Sequence, residues 1–385
     1  MRARHDRPRP ATRGHTSGRA LRMTQVLARI LSVLALIAVL LTSGTTADAT
    51  GTAGAVYTLT NAASGNAVVA FSRSASGELA PAGTFATGGL GGGSGLGSQD
   101  AVITSDDGQW LYAVDAGSND IATFRIRHDG LGLVGRTPSG GTRPISLTTN
   151  GDLVYVLNAV SNTITGFRAS GGSLAPLPGS TRVLLGQGPA QVEFAPSGNV
   201  LVVTDKTTST LETFVVDGDG VAGSARSFTS SGAVPFGFAF GHRDQLVVSE
   251  AGGAPAGLSA ASSYRVANDG SLVAITRSAA TTQAAACWVV VTNNGRYAFT
   301  GNAGGDSISA FAIDQDGSLE LVSGQAAYAA AAHTTDLATS RDSRFLYALD
   351  NGTHMISGFR IGSDGSLTRV PGAIVPAASV GLASR

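Results

Sequence analysis

The sequence predicts an all-β protein, a seven-bladed β-propeller built of four-stranded antiparallel blades. Three observations predict it. One phrase recurs seven times. LVYVLNAVSNTITGFR begins at Leu153, WLYAVDAGSNDIATFR at Trp110, YAFTGNAGGDSISAFA at Tyr297 and FLYALDNGTHMISGFR at Phe345. Looser copies begin at Val56, Val200 and Leu246. The second observation is the period. Tyr112, Tyr155, Val202, Val247, Phe299 and Tyr347 hold one place in successive repeats, at spacings of 43, 47, 45, 52 and 48 residues. A period of that size, made of alternating apolar positions, fits one blade per repeat. The third observation is the turns between the strands, which are rich in Gly, Asn and Asp.

The elements follow in order. Residues 1–49 read as an export signal. Arg2 to Arg29 is basic, Ile30 to Leu41 is an apolar run too short to span a bilayer comfortably, and Ala47-Asp48-Ala49 is a small-x-small cleavage site. Met23 would make a more ordinary start than Met1. Residues 50–385 read as one propeller domain. In the third repeat, Val154–Leu157 is the first strand and Thr163–Arg168 alternates with period two as the second. Ser173–Leu177 is a short third strand, whose Pro176 suits an outer edge. Gln191–Ala195 is the fourth.

Turn signals punctuate these strands. Asp106-Asp107-Gly108, Asn150-Gly151-Asp152, Ser197-Gly198-Asn199 and Asn293-Asn294-Gly295 lie between repeats. His128-Asp129-Gly130, Asn268-Asp269-Gly270, Asp316-Gly317 and Asp364-Gly365 lie between the second and third strands. Such pairs supply the φ > 0 that tight hairpins need. The first repeat lacks a preceding fourth strand, and the last repeat ends in one at Ala378–Ser384. Pairing that strand with the strand at Val56 closes the ring without free edges. The segment Gly88–Gly97 lacks the Lys-Ser/Thr and the helix of a phosphate loop, so it reads as a flexible loop on the propeller face.

Composition excludes several classes. The first 49 residues hold 8 Arg against 2 Asp, so the remainder carries 18 basic and 24 acidic side chains. That surface offers no footprint for nucleic acid. Lys206 is the only lysine, a feature that reads as genome composition. Cys287 is the only cysteine and opens the apolar strand CWVVV, so it reads as a buried, inert thiol, with no disulfide and no cysteine metal site. Asp217-Gly218-Asp219-Gly220 and Asp314–Gly317 lack the later acidic ligand of a calcium loop and read as turns. No Gly-x-Ser-x-Gly elbow is present. No metal and no cofactor are expected.

The repeat phrase, followed by Asp-Gly-Ser-Leu at Asp269, Asp316 and Asp364 and by Gly-x-x-Pro, resembles the seven-bladed lactonase family. That family includes the propeller-type 6-phosphogluconolactonases and the fungal carboxymuconate cyclases. The resemblance runs from about Val56 to the C-terminus, and YVTN-type surface propellers share the first half of the phrase. It implies a polar pocket on one face near the central channel. The family's His position falls on Ala190, its Arg positions on Phe236 and Ala303, and its Glu position on Glu250.

These residues set the candidate site. Glu250 is the expected base, because lactone hydrolysis needs a base or a positioned water. A polar residue stands at its place in every repeat (Asn61, Asp115, Asn158, Asp205, Asn302 and Asp350), which also suits a strand-end cap. His333 begins an inner strand and is its candidate acid/base partner. Arg143, in Gly141-Thr142-Arg143-Pro144, could hold a carboxylate or phosphate, and Gln191 joins it as substrate-binding. The expected function is that of a secreted, monomeric lactonase-like protein acting on a small lactone or an anionic sugar derivative. The alternative is a non-catalytic extracellular propeller that binds a ligand or a protein partner.

Overall fold

Seven sheets form the ring in a computed structural model that describes residues 53–252 and 257–385. The expected signal segment lies outside the described residues. Each sheet is a blade of antiparallel strands. In blade 4 the order from the channel outward is Pro189–Phe194, Val200–Asp205, Thr210–Val215 and Arg226–Thr229. The Gln191 strand, read as the fourth strand of the third repeat, is therefore the innermost strand of the next blade. The other innermost strands are Val102–Thr104, Pro144–Asn150, Pro235–Phe240, Ala286–Val291, Thr334–Thr339 and Val380–Ser384.

The ring closes as expected. Val380–Ser384 pairs with Gly54–Leu59, bringing Thr58 opposite Leu382 and Val56 opposite Ser384. In blade 3 the outer edge is split. Ser173–Pro176 and the short Arg182–Val183 both pair with Thr163–Ser170. Among the described residues the sole helical element is a 3-10 turn at His242–Asp244.

The repeat phrase explains the packing. Phe71, Phe124, Phe167, Phe214 and Phe311 hold one place in it and are at most 2% exposed. Burying each such ring stabilises by about 2–3 kcal/mol. Three tyrosines of the phrase also latch one blade to the next. Tyr155 Oη donates to the Gly220 carbonyl at 2.7 Å and accepts from the Ala222 N–H at 2.9 Å. Tyr347 Oη donates to the Gly77 carbonyl at 2.8 Å, and Tyr297 Oη to the Ser363 carbonyl at 3.1 Å. Glycine is required at the Gly220 turn. Its φ is +83°, and a Cβ there would lie 2.4 Å from Leu153.

Candidate functional site

Innermost strands start at one end of the channel, and nearly all start with a bulge. Pairing slips between Pro144 and Ser146, Pro189 and Gln191, Pro235 and Phe238, Ala286 and Trp288, and Thr334 and Asp336. The residues skipped include Ile145, Ala190, Phe236, Cys287 and Thr335. A bulge frees a residue from the ladder and re-aims it, a device common beside sites. Here this ring of positions is mostly apolar. Phe236 packs on Trp288, with ring centroids 5.2 Å apart.

The Gly-rich segment ends in this mouth. Its glycines are tied down rather than free. Gly91 N donates to the Ala62 carbonyl, Gly93 N to the Asn61 carbonyl and Gly92 N to Asn61 Oδ1. The expectation of a flexible loop is corrected by these bonds, because backbone N–H groups without side chains close in on Asn61. The chain then crosses the channel. Ser98 Oγ donates to the Ile145 carbonyl of blade 3 at 2.8 Å, and Gln99 N donates to the Ala190 carbonyl of blade 4 at 3.3 Å. Gln99 exchanges side-chain bonds with the Val289 backbone of blade 6, and Trp288 Nε1 donates to the Ser98 carbonyl.

Below this crossing lies a channel cavity of about 300 Å³, lined in part by Asp100, Glu193, Phe240, Val291, Leu337 and Ser384. Gln191 organises its two acids. Its Nε2 donates to Asp100 Oδ2 at 2.7 Å and Glu193 Oε2 at 3.2 Å, as well as to the Phe238 carbonyl. Its Oε1 accepts from Phe238 N at 2.6 Å. Burial pushes the Asp100 carboxyl up to about 7, with the Gln191 bond opposing. Burial and then the Asp100 charge push Glu193 well up. Asp336, fully buried, is also raised by burial and then by Asp100. Both channel acids therefore hold their protons more tightly than ordinary carboxyls.

The four residues singled out from the sequence do not converge. No hydrogen bond or ion pair links Glu250, His333, Arg143 and Gln191 among the described residues. Glu250 is 1% exposed and turned toward the outer strands of its own blade. Its carboxylate accepts from Gly232 N at 2.7 Å, from Ser262 Oγ, and from Ser278 Oγ at 2.7 Å. His333 is exposed. Its Nδ1 lies 3.1 Å from the Ala303 carbonyl and 3.5 Å from Asp306. Gln191 is wholly buried, with its amide committed to the channel acids and to Phe238. Arg143 is half-buried at the mouth. Its N–H donates to Asn119 Oδ1 at 2.7 Å, and its guanidinium bonds nothing among the described residues.

Two further groups went unread in the sequence. Lys206 directly follows the second strand of blade 4, and its Nζ stands 4.6 Å over the Phe236 ring. Burial lowers its pKa to about 8, with Arg143 also pushing down and Cys287 and Asp205 pushing up. Asp205 and Glu212 face each other inside the same blade. Burial and then the Glu212 charge lift Asp205 to about 8, so the pair shares a proton at neutral pH. The signal for Glu193 was present in the sequence. Gln191 and Glu193 are polar at alternate positions of an otherwise apolar strand, hence on one face.

The family profile described as Lactonase, 7-bladed beta-propeller matches residues 52–184 and 248–380. No curated protein matches the chain. Several solved structures share the fold. A protein from Bacteroides fragilis, proposed to be a 6-phosphogluconolactonase, is 20% identical and covers 88% of this chain and 99% of its own, with a TM-score of 0.68. A protein from Bacteroides uniformis with the same proposed activity is 19% identical and covers 86% and 99%, with a TM-score of 0.69. The periplasmic gluconolactonase of Pseudomonas aeruginosa is 16% identical and covers 86% and 99%, with a TM-score of 0.66. With its seven closed blades and a family match over most of its length, the chain belongs to the seven-bladed β-propeller lactonase family.

Proposed function

We propose that the protein is an exported, lactonase-type hydrolase that opens a small lactone of the sugar-acid class with water. Family membership supports the reaction class. The observation that carries the mechanism is the Asp100–Glu193 pair, held by one Gln191 amide in a cavity of about 300 Å³. A pair of carboxyls that holds one proton can supply a base and an acid together. The carboxylate takes a proton from water while the water oxygen attacks the lactone carbonyl carbon. The ring C–O bond then breaks, and the ring oxygen takes the proton held by the other carboxyl. Gln191 positions both groups and does not itself need to touch the substrate.

Glu250 fits a structural part in this reading, because its carboxylate is occupied within blade 5. The apolar mouth favours a second reading, a propeller that binds without catalysis. Ala190, Phe236 and Ala303 stand where the resemblance implies His and Arg. Assay of the protein against a panel of aldonolactones separates the two. Hydrolysis above the uncatalysed rate supports the enzyme, and none on any member supports the binding propeller. N-terminal sequencing of protein from the culture medium tests export, with a start at Thr50 expected.

A further inference from the structure

We infer that the channel cavity takes its ligand through the hairpin end of the ring, opposite the mouth, and that this ligand is an uncharged lactone rather than one carrying phosphate. That the ligand is a lactone rests on the hydrolase reading; the route and the charge rest on the cavity. Innermost strands start at the mouth and finish at the turns that lead to the second strands, as at 105–109 in blade 2 and 340–344 in blade 7. These turns mark the hairpin end. The two ends of the channel differ in what covers them.

The mouth is closed. Ser98 and Gln99, 7% and 4% exposed, cross it and are bonded to blades 3, 4 and 6. Blade 5 makes room for them with Gly237, where a Cβ would lie 2.3 Å from Gln99 Oε1. A ligand entering there would have to break these bonds. The hairpin end is open. Exposure rises toward it along four innermost strands that line the cavity. Leu337 and Ala338 are 2% and 7% exposed, and Thr339 is half-buried. Leu382 and Ala383 are 3% and 8% exposed, and Ser384 is half-buried. Val102 and Phe238 are fully buried, whereas Ile103, Thr104, Ala239 and Phe240 are half-buried. Water touches a side chain only through an opening, so the same rise in four blades places the opening at the hairpin end. Asp100 and Glu193, half-buried between the two ends, are reached from there.

The lining also selects by charge. Among the described residues it holds no Arg, Lys or His; its charged residues are Asp100 and Glu193, and the rest are apolar, hydroxyl or amide. Arg385, next to Ser384, turns Nη1 to the Gly108 carbonyl at 3.5 Å and is not part of the lining. A phosphate drawn into the channel would lose its water and find two acids, with no guanidinium or ammonium to answer it. An uncharged polyhydroxy ring loses far less, because its hydroxyls exchange hydrogen bonds with the two carboxyls and with the hydroxyls of Thr104, Thr339 and Ser384. The cavity of about 300 Å³ stands at the small end of ligand pockets, which suits a single sugar-sized ring.

Cysteine labelling of protein purified from the full chain tests both parts. Cys287 is buried, so an added cysteine reports on the channel against a quiet background. Ala338→Cys, with Ala383→Cys as a second reporter on another blade, puts a thiol on the cavity wall. Methyl methanethiosulfonate should label either thiol in the folded protein, as read by intact mass against the parent protein. Thr104→Phe or Thr339→Phe, added on different blades, narrows the hairpin end and should slow labelling severalfold; either one that folds suffices. Gluconolactam, an uncharged lactone analogue, should protect the thiol at concentrations at least about tenfold below any at which 6-phosphogluconate does, the worth of an unanswered charge. Reporters that stay unlabelled, or labelling unslowed in a folded narrowed variant, would overturn the route. No protection by gluconolactam, or equal protection by 6-phosphogluconate, would overturn the choice of ligand. Protection by gluconolactam in a protein that hydrolyses no lactone would sink the hydrolase reading alone and leave the cavity as a binding site entered from the hairpin end.

Discussion

Glu250, buried, and Asp100, half-buried in the channel, show how differently two carboxyls can be used. Glu250 accepts three hydrogen bonds within blade 5, including one from the Gly232 N–H in the segment that leads to Phe236. Its charge is satisfied where it stands. Asp100 shares one amide with a second acid and is held near neutrality by burial. Glu250→Gln should therefore cost about 1.5–3 kcal/mol of stability, the worth of a charge-assisted bond, and leave lactone turnover within about twofold. Denaturant melts and initial rates on one variant check both halves. A loss of turnover with stability unchanged would return the base role to Glu250. The sequence singled out Glu250 because it matches a family position, but a match in position says nothing of which way the carboxylate turns. Lys206 was passed over for the converse reason. A single lysine has no pattern, and its meaning appears only when blade 4 sets it over Phe236.

At the scale of strands, the period of the repeat and its turn residues were legible because they follow from local chemistry. Asp-Gly turns need φ > 0, and alternation follows from the pleat. Two features of the strands were not legible. The bulge that starts most innermost strands depends on the partner strand, not on the strand's own residues. The ordering of the Gly-rich loop depends on Asn61 and on strands of three other blades. Ring closure was legible, because the first repeat lacks a strand that the last repeat supplies. Val380 and Leu382 of that strand are 6% and 3% exposed. Removing Ser379–Arg385 would uncover their neighbours and leave Gly54–Leu59 as an open edge. The shortened chain should melt at markedly lower temperature and aggregate. A truncated chain as stable and as monodisperse as the parent would show that the ring does not depend on this strand.

The whole molecule carries an unusual stock of raised carboxyls. Asp115, Asp100 and Asp205 are lifted by burial to about 6, 7 and 8, and Glu193, Glu212, Asp336 and Asp350 are raised in the same direction. Each binds its proton more tightly in the folded chain than in the unfolded one. Between the ordinary carboxyl range, about 4, and these raised values the folded protein holds more protons, so stability falls as pH rises. The turn residues Asp269, Asp316 and Asp364 act oppositely, since bonds from Ser271, Ser318 and Ser366 lower them. Their contribution is lost only as pH drops below about 4. The melting temperature should therefore be highest near pH 4–5 and decline toward pH 8. A melting temperature that is flat or rising over that interval would contradict the burial of these acids.

The pH profile of kcat/KM for an aldonolactone, compared between the wild-type protein and Asp100→Asn, tests the central claim most directly. The channel pair predicts activity governed by an ionisation near pH 7 in the wild-type protein. Replacing Asp100 should lower kcat by about 10²–10⁴-fold, the usual worth of a general acid or base, and abolish that ionisation while the protein stays folded. A folded Asp100→Asn protein with undiminished turnover and an unchanged profile would show that the chemistry lies elsewhere than in the channel.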